Sequence, residues 1–314
     1  MRIATRAGCL GLALLPVALA GFVYVMSFFN ARTGSPQDFA SSALLAHPPA
    51  PLAKSITLKV ITFNIQDTWV VGRNRPARMR ALGATLVQLD PDVVGFQEAF
   101  VESERAILLD ALNGSRLQYF QYFPSGTMGS GLLIACAFPI REAWFHRYES
   151  AGDWYKVWEG DWWAGKGAGL ARVELPEGLG YLDFYNTHAQ AGYGNAQYKV
   201  VRKNQMIALG GFINESRLRT VPALLVGDLN CRRDQPDHEA IVTTANLTRL
   251  MNVDTTLDHI YGVKNPAYAF EVIETIELTD GPGPDGIPIR LSDHHGYLST
   301  IRITPTASQK LSGG

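Results

Sequence analysis

Six short segments carry acidic, amide and imidazole side chains of the kinds that act on phosphate esters. They are Asn64 in Thr-Phe-Asn-Ile, Glu98 in Gly-Phe-Gln-Glu, His188 in Tyr-Asn-Thr-His, Asp228 and Asn230 in Val-Gly-Asp-Leu-Asn, Asp258 in Leu-Asp-His-Ile, and Asp293 with His294 in Leu-Ser-Asp-His-His-Gly. Hydrolysis of a phosphodiester requires positive charge on the non-bridging oxygens and an activated water. Carboxylate and amide oxygens such as those of Glu98 and Asn64 suit a hard cation, Mg²⁺, over a softer metal. A histidine held by a carboxylate is the usual base near neutral pH, and Asp-His pairs stand at Asp258-His259 and Asp293-His294. Adjacent strand residues point to opposite faces, so the carboxylate that orients a given histidine can come from another segment. Any single strand-end Asp or Asn is commonly a turn former or helix cap, and the weight of the pattern lies in the set.

These residues fall at the ends of strand-like runs, where a rigid sheet holds side chains in fixed geometry. Ile56 to Ile65 alternates as a strand does, and Met79, Leu82, Leu86 and Leu89 are spaced for a helix over 77–89. Residues 92–97 form a buried strand. Further strands are expected over 131–137, 169–174, 181–188, 221–228, 268–277 and 297–303, and a helix over 197–216. Strand, helix, strand followed by consecutive strands favours a layered α/β or α+β domain over an alternating barrel. With 28 Lys and Arg against 29 Asp and Glu, the chain lacks the global positive field of a protein that grips nucleic acid through its phosphates, although a local basic patch is compatible with that balance. Three cysteines, Cys9, Cys136 and Cys231, allow at most one bridge and show no zinc-ribbon spacing.

No charged residue occurs from Ala7 to Phe29, and Arg2 and Arg6 precede this run. Residues 1–29 read as a signal anchor or signal peptide, with the remainder of the chain outside the cytoplasm, membrane-anchored or released after cleavage. Residues 30–54, with Thr-Gly-Ser-Pro and His-Pro-Pro-Ala-Pro, read as a linker, 55–305 as the catalytic domain and 306–314 as a tail.

Taken in order, Thr-Phe-Asn, Gln-Glu, Asn-Thr-His, Gly-Asp-Leu-Asn, Leu-Asp-His-Ile and Ser-Asp-His resemble the endonuclease/exonuclease/phosphatase superfamily over residues 56 to 303. The resemblance implies a DNase I-like four-layer α/β sandwich, two packed mixed β-sheets flanked by helices, with the site at one end of the sheets and Mg²⁺ as cofactor. It implies Glu98 as principal metal ligand with Asn64 nearby and His294 as general base. Asp228 and Asn230 would position water and phosphate, His188 would act near the scissile phosphate, and Asp258 and Asp293 would orient the histidines. Three local features resemble neutral sphingomyelinases: Gln97-Glu-Ala-Phe100, Asp161-Trp-Trp-Ala-Gly-Lys166-Gly167, and Asn186-Thr-His-Ala-Gln190-Ala with Val201-Arg202 and Gln205 downstream. This branch implies hydrolysis of sphingomyelin to ceramide and phosphocholine, with a phospholipid substrate and a membrane surface as partners and no obligate protein partner. A nuclease acting on nucleic acid and a phosphoinositide phosphatase share the same site motifs and are the alternatives. The apolar segment at the N-terminus, the second histidine at His295 and Cys231 directly after Asn230 depart from the branch pattern.

Five of six tryptophans, Trp144, Trp154, Trp158, Trp162 and Trp163, crowd into residues 144–163. Such a stretch can enter a bilayer interface or cup a quaternary ammonium, or it can form an aromatic minicore under a loop. Within it, Trp154, Trp158, Trp162 and Trp163 are the candidate lipid contacts. Lys166 is a candidate to stabilise phosphate charge, and a Lys beside two glycines is equally an exposed turn residue. The run Arg73, Arg75, Arg78 and Arg80 reads as a solvated helix face.

Overall fold

The computed structural model describes residues 4–32, 41–69 and 71–306. Two six-stranded sheets dominate. From edge to edge the first runs β11 (Tyr268–Leu278), β14 (Gly296–Pro305), β1 (Ile56–Asp67), β2 (Val93–Ala99), β4 (Leu133–Cys136) and β3 (Tyr119–Tyr122). The second runs β5 (Ile140–Arg147), β6 (Gly167–Leu175), β7 (Gly180–His188), β8 (Ala223–Asp228), β10 (Asp258–Val263) and β9 (Leu247–Arg249). A two-stranded ribbon pairs β12 (Asp280–Gly281) with β13 (Ile289–Arg290). Both large sheets are mixed: β1 pairs parallel with β2 and β7 with β8, and their other pairings are antiparallel.

Side-chain alternation builds the layers. Leu58 and Val60 of β1 meet Phe184 of β7 and Val226 of β8 between the sheets. The intervening Ile61, Phe63 and Ile65 face α3 (Arg75–Leu89) and α4 (Glu102–Ala111), where Met79, Leu82, Leu86 and Leu108 cover them. On the far side, Tyr185 and Leu225 pack under α6 (Gln197–Ser216) and α7 (Pro236–Thr244). This is the expected sandwich of two mixed sheets flanked by helices. Gly95 of β2 lies where the sheets approach most closely, and a Cβ there would stand 2.4 Å from Val226 Cγ2. Cys136 and Cys231 are free thiols buried in different cores, Cys136 between the sheets and Cys231 under α6 and α7.

Helices α3 and α6 and the strands β1, β2, β4, β6, β7, β8, β11 and β14 follow the expected ranges within a few residues. Unmarked by the sequence pattern were α4, with only Glu104 and Leu108 buried to mark its period, the helix α7, the strands β5 and β10, and the two-to-four-residue strands β3, β9, β12 and β13. The N-terminal region departs more. Residues 33–40 of the expected linker and all but Thr306 of the expected tail lie outside the described residues. Residues 41–54, also assigned to the linker, instead pack on the domain. Ser42 caps α2 (Ala43–Ala46) and bonds Glu142 and Arg172, while Leu52 enters the inter-sheet core and its N–H donates to Tyr268 Oη at 2.9 Å. A single strip of coat carries no repeating period, so its packing left no pattern to read.

Helix α1 (Ala4–Arg32) contains Pro16 and docks by its C-terminal turn. Asn30 is fully buried: its carboxamide donates to Trp162 O at 2.9 Å and accepts from Thr127 N at 2.6 Å, and Arg147 donates to its carbonyl. Val17, Leu19, Phe22 and Val25 project from the same helix into solvent. Among the described residues no helix is long and apolar enough to cross a membrane.

Because Gly95 sits against the opposing sheet, Gly95→Ala is expected to cost about 1–3 kcal/mol by overpacking. Urea denaturation of the two proteins measures this, and equal midpoints would contradict the close approach.

Candidate functional site

Strand register sets the cleft. His188 of β7 lies beside Asp228 of β8, and Asp228 lies opposite Asp258 of β10, so the second sheet presents all three in one row at its end. The first sheet answers with Asn64 of β1, level with Gln97 of β2. Gln97 and Glu98 both face the other sheet, although neighbours in a strand normally diverge. Glu98 achieves this with a φ of 57°, and Gln66 and Asn230 nearby have φ of 48° and 51°. Left-handed backbone outside glycine is uncommon and persists where surrounding structure enforces it.

Within the cleft, Asn64 Nδ2 donates to Glu98 Oε1 and to Asp228 Oδ2, each at 3.0 Å. His294 reaches in from the loop before β14. Its Nδ1 lies 2.9 Å from Asp258 Oδ2, which leaves Nε2 directed at Asp228 Oδ2, 3.8 Å away. Burial disfavours the imidazolium, but the Asp258 hydrogen bond and the charges of Asp228, Asp258 and Asp293 outweigh it and raise His294 to about 10. Burial and the adjacent Asp228 push Asp258 up to about 7 against the pull of His294. Burial likewise raises Glu98, opposed by Asn64 and Lys166.

His188 behaves oppositely. Burial, then the charges of Lys166 and His294, hold it well below the ordinary histidine value, so it is neutral. Its Nε2 accepts from Lys166 Nζ at 2.9 Å and faces Asn230 Nδ2 at 3.2 Å. Lys166 also donates to Ala189 O at 2.8 Å and pairs with Asp161 Oδ1, at the start of α5 (Asp161–Ala164), at 2.9 Å. Asp161 is fixed in turn by Gln190 Nε2 and Ala191 N, and Gln190 by Gln205, so the downstream motif residues frame this lysine. Arg202 joins that frame through Asp237 at 2.8 Å and through Gln190 O.

The structure brings Asn64, Glu98, Lys166, His188, Asp228, Asn230, Asp258 and His294 together. Asp293 departs from the expectation: it is exposed and accepts from Gln66 Nε2 at 2.7 Å, so Asp258 alone orients His294 by direct contact. The expected pair of metal ligands, Glu98 and Asn64, proves to border a second grouping. Donor atoms of Asp228, Asp258 and His294 all lie within 4.8 Å of one another, and Asp228 belongs to both sets. The carboxylates of Glu98, Asp228 and Asp258 gather in one cleft, a donor set that fits a hard divalent cation.

The aromatic stretch divides. Trp144 and Trp163 are buried, as are Phe145 and Tyr148, whereas Trp162 is half-buried and Trp154 and Trp158 are 37% and 76% exposed. Tyr24 of α1 packs edge-on against Trp154, which joins the helix and the loop into one apolar surface. The arginine run is also corrected. Arg78 is buried and donates to the carbonyls of Arg73, Ile65, Leu291 and Gln66, tying the end of β1 to the loop that carries His294. Ser292 adds a bond from its hydroxyl to Asn64 O at 2.7 Å. Sequence gave no sign of these ties, since their acceptors are main-chain carbonyls.

A cleft of this composition at one end of two packed mixed sheets is that of a DNase I-like phosphoesterase fold. The family model described as the Endonuclease/Exonuclease/phosphatase family matches residues 61–294, and the chain belongs to this family. It is 30% identical over 277 residues to a putative neutral sphingomyelinase of Drosophila melanogaster, covering 79% of this chain and 61% of that protein. It is 34% identical over 180 residues to sphingomyelin phosphodiesterase 2 of Rattus norvegicus, covering 56% and 42%. Identity is 29% over 192 residues to an inositol phosphosphingolipids phospholipase C of Schizosaccharomyces pombe, covering 60% and 45%. The chain thus spans about half the length of these relatives. Beta toxin from Staphylococcus aureus, solved with bound magnesium ions, superposes with a TM-score of 0.61 at 17% identity, over 80% of this chain and 100% of that one. Sphingomyelinase C from Streptomyces griseocarneus gives 0.60 at 17%, over 78% and 99%.

Since folding raises the affinity of His294 for its proton, the stability that this shift supplies is present below pH 6.5 and declines as pH climbs toward 10. An NMR titration of chelator-treated protein is expected to show His294 losing its proton near pH 10, and much nearer 6.5 in Asp258→Asn. Identical titrations in both proteins would refute the pairing.

Proposed function

We propose that this protein is a Mg²⁺-dependent phosphodiesterase that hydrolyses sphingomyelin in phospholipase C fashion at a membrane surface outside the cytoplasm. The observation that carries the proposal is the Asp258–His294 pair, whose Nε2 is directed at Asp228 next to Glu98 and Asn64. The names of the relatives support a sphingolipid substrate, and the uncharged run behind Arg2 and Arg6 supports export by residues 1–29, anchored there or released.

When bound, Mg²⁺ supplies positive charge to the non-bridging phosphate oxygens, and Glu98, with Asn64 and Asp228 alongside, would hold it. His294, whose affinity for its proton the charge of a bound cation would lower, takes a proton from water at Nε2 in its neutral form while Asp258 holds Nδ1. The water oxygen bonds phosphorus as the bond from phosphorus to the ceramide oxygen breaks, and that oxygen leaves with a proton from solvent. Asn230 and neutral His188 position the phosphate. Lys166, held by Asp161 and His188, offsets charge that develops on it.

Full-length protein should release phosphocholine from sphingomyelin in mixed micelles and leave plasmid DNA and inositol phosphates intact; the reverse selectivity would overturn the substrate assignment. Glu98→Gln should lower turnover and weaken Mg²⁺ binding, and His294→Ala should cost about two to four orders of magnitude in turnover with an unchanged melting curve. Full activity in excess EDTA would refute the metal requirement.

Trp158 is 76% exposed, so replacing it with Ala should leave the melting temperature nearly unchanged. Hydrolysis of sphingomyelin in vesicles should fall severalfold, and that of a small soluble phosphodiester should not. Equal loss on the two substrates would remove the membrane role from this loop.

A further inference from the structure

On the outer side of the second sheet, a cavity of about 340 Å³ opens between β9, β10 and the start of α7. Arg233, Arg249, His238 and Tyr261 line it, with the carboxylates of Asp234 and Glu239. Arg249 is the unusual member. Its Nε and Nη2 are buried, and among the described residues neither has a hydrogen-bond partner. A desolvated guanidinium with idle donors is costly unless something accepts from it. By contrast, Arg78 is met by four carbonyls and Arg172 by Asp183, Glu142 and Ser42; outside this cavity Arg217 Nε alone among the described guanidinium nitrogens is likewise buried without a partner. Arg233 adds a second guanidinium, 50% exposed, whose ion-pair partner among the described residues, Asp254, is 3.6 Å away and fully open to water.

The nearby titratable groups report the same field. After burial, Arg233 and Arg249 are among the charges that lower His238 and His259, so both imidazoles stay neutral and add no positive charge of their own. His238 Nε2 bonds Tyr261 Oη, Tyr261 Oη lies 3.2 Å from His259 Nδ1, and His259 Nε2 lies 3.0 Å from Cys231 O, one residue past Asn230. The cavity therefore backs onto the loop that carries Asn230.

We propose that this cavity is a second anion site, distinct from the catalytic cleft, that binds a phosphate monoester through Arg249 and Arg233. Guanidinium presents paired donors that match adjacent phosphate oxygens. The volume exceeds that of a bare phosphate, and Asp234 and Glu239 can accept from hydroxyl or ammonium groups on the remainder of the ester. Soluble phosphate esters and the phosphate of an anionic lipid share this chemistry.

Inorganic phosphate titrated calorimetrically into chelator-treated full-length protein tests the site. Wild type and His188→Gln, which alters the catalytic cleft, should bind alike. Arg233→Gln/Arg249→Gln should bind about tenfold more weakly or worse, the size expected for losing charged hydrogen bonds. Unchanged affinity in that folded double variant, or a loss confined to His188→Gln, would overturn the proposal. Should the double variant not fold, Arg249→Lys keeps the charge without the fork and is expected to bind measurably more weakly; wild-type affinity there overturns the site equally. Extra retention on phosphatidylcholine vesicles containing phosphatidic acid, lost in the double variant, identifies a lipid phosphate. Phosphate binding without extra retention identifies a soluble ester, and absence of both refutes the site.

Discussion

The two sheets meet at a buried amide contact, and the geometry of the cleft hangs from it. Gln97 Nε2 donates to Asn186 Oδ1 at 2.7 Å across the interface, while Asn186 Nδ2 returns bonds to Phe96 O and Leu133 O on the opposing sheet. Apolar packing between sheets is non-directional and would tolerate sliding, whereas carboxamides with fixed donors and acceptors accept one register. These two side chains lie directly behind Asn64 and His188, so the contact that fixes the sheets also fixes the distance between the halves of the cleft. Gly95 next to it lets the backbones approach closely enough for those bonds to form.

Above that contact the fold gathers like charges that would otherwise repel. Glu98, Asp228 and Asp258 converge, and the protein moderates them with Asn64 between two of them, His294 on the third and Lys166 alongside. The cations are tethered from outside: Lys166 by Asp161, and the His294 loop by Arg78 and Ser292. The strain at Glu98 and Asn230 is the local cost of turning extra side chains into one small volume.

Much of this could be read from the chain because its signals were periodic or chemical. Alternation in Ile56–Ile65 and helical spacing over 77–89 located the inner strand and its covering helix, and carboxylate, amide and imidazole residues at strand ends marked the cleft. What escaped notice works through the backbone or through tertiary placement. Arg78 looked like one arginine among four because its partners are carbonyls. Asp258 and Asp293 are both expected to orient the histidines, and which of them reaches His294 is decided by tertiary placement: the bond comes from Asp258, thirty-six residues away. Trp154 and Trp163 have the same side chain nine residues apart and opposite exposure, which only the path of the loop decides.

The two buried thiols bear on how such a chain matures. Burial pushes Cys136 up to about 12 and Cys231 higher still, so neither holds an appreciable thiolate, the form that attacks oxidants and disulfides. They also lie in separate cores and cannot meet. The domain consequently needs no oxidant to assemble and no reductant to persist. Its yield should be indifferent to the redox poise of the compartment that receives it, a freedom that disulfide-stapled extracellular proteins lack.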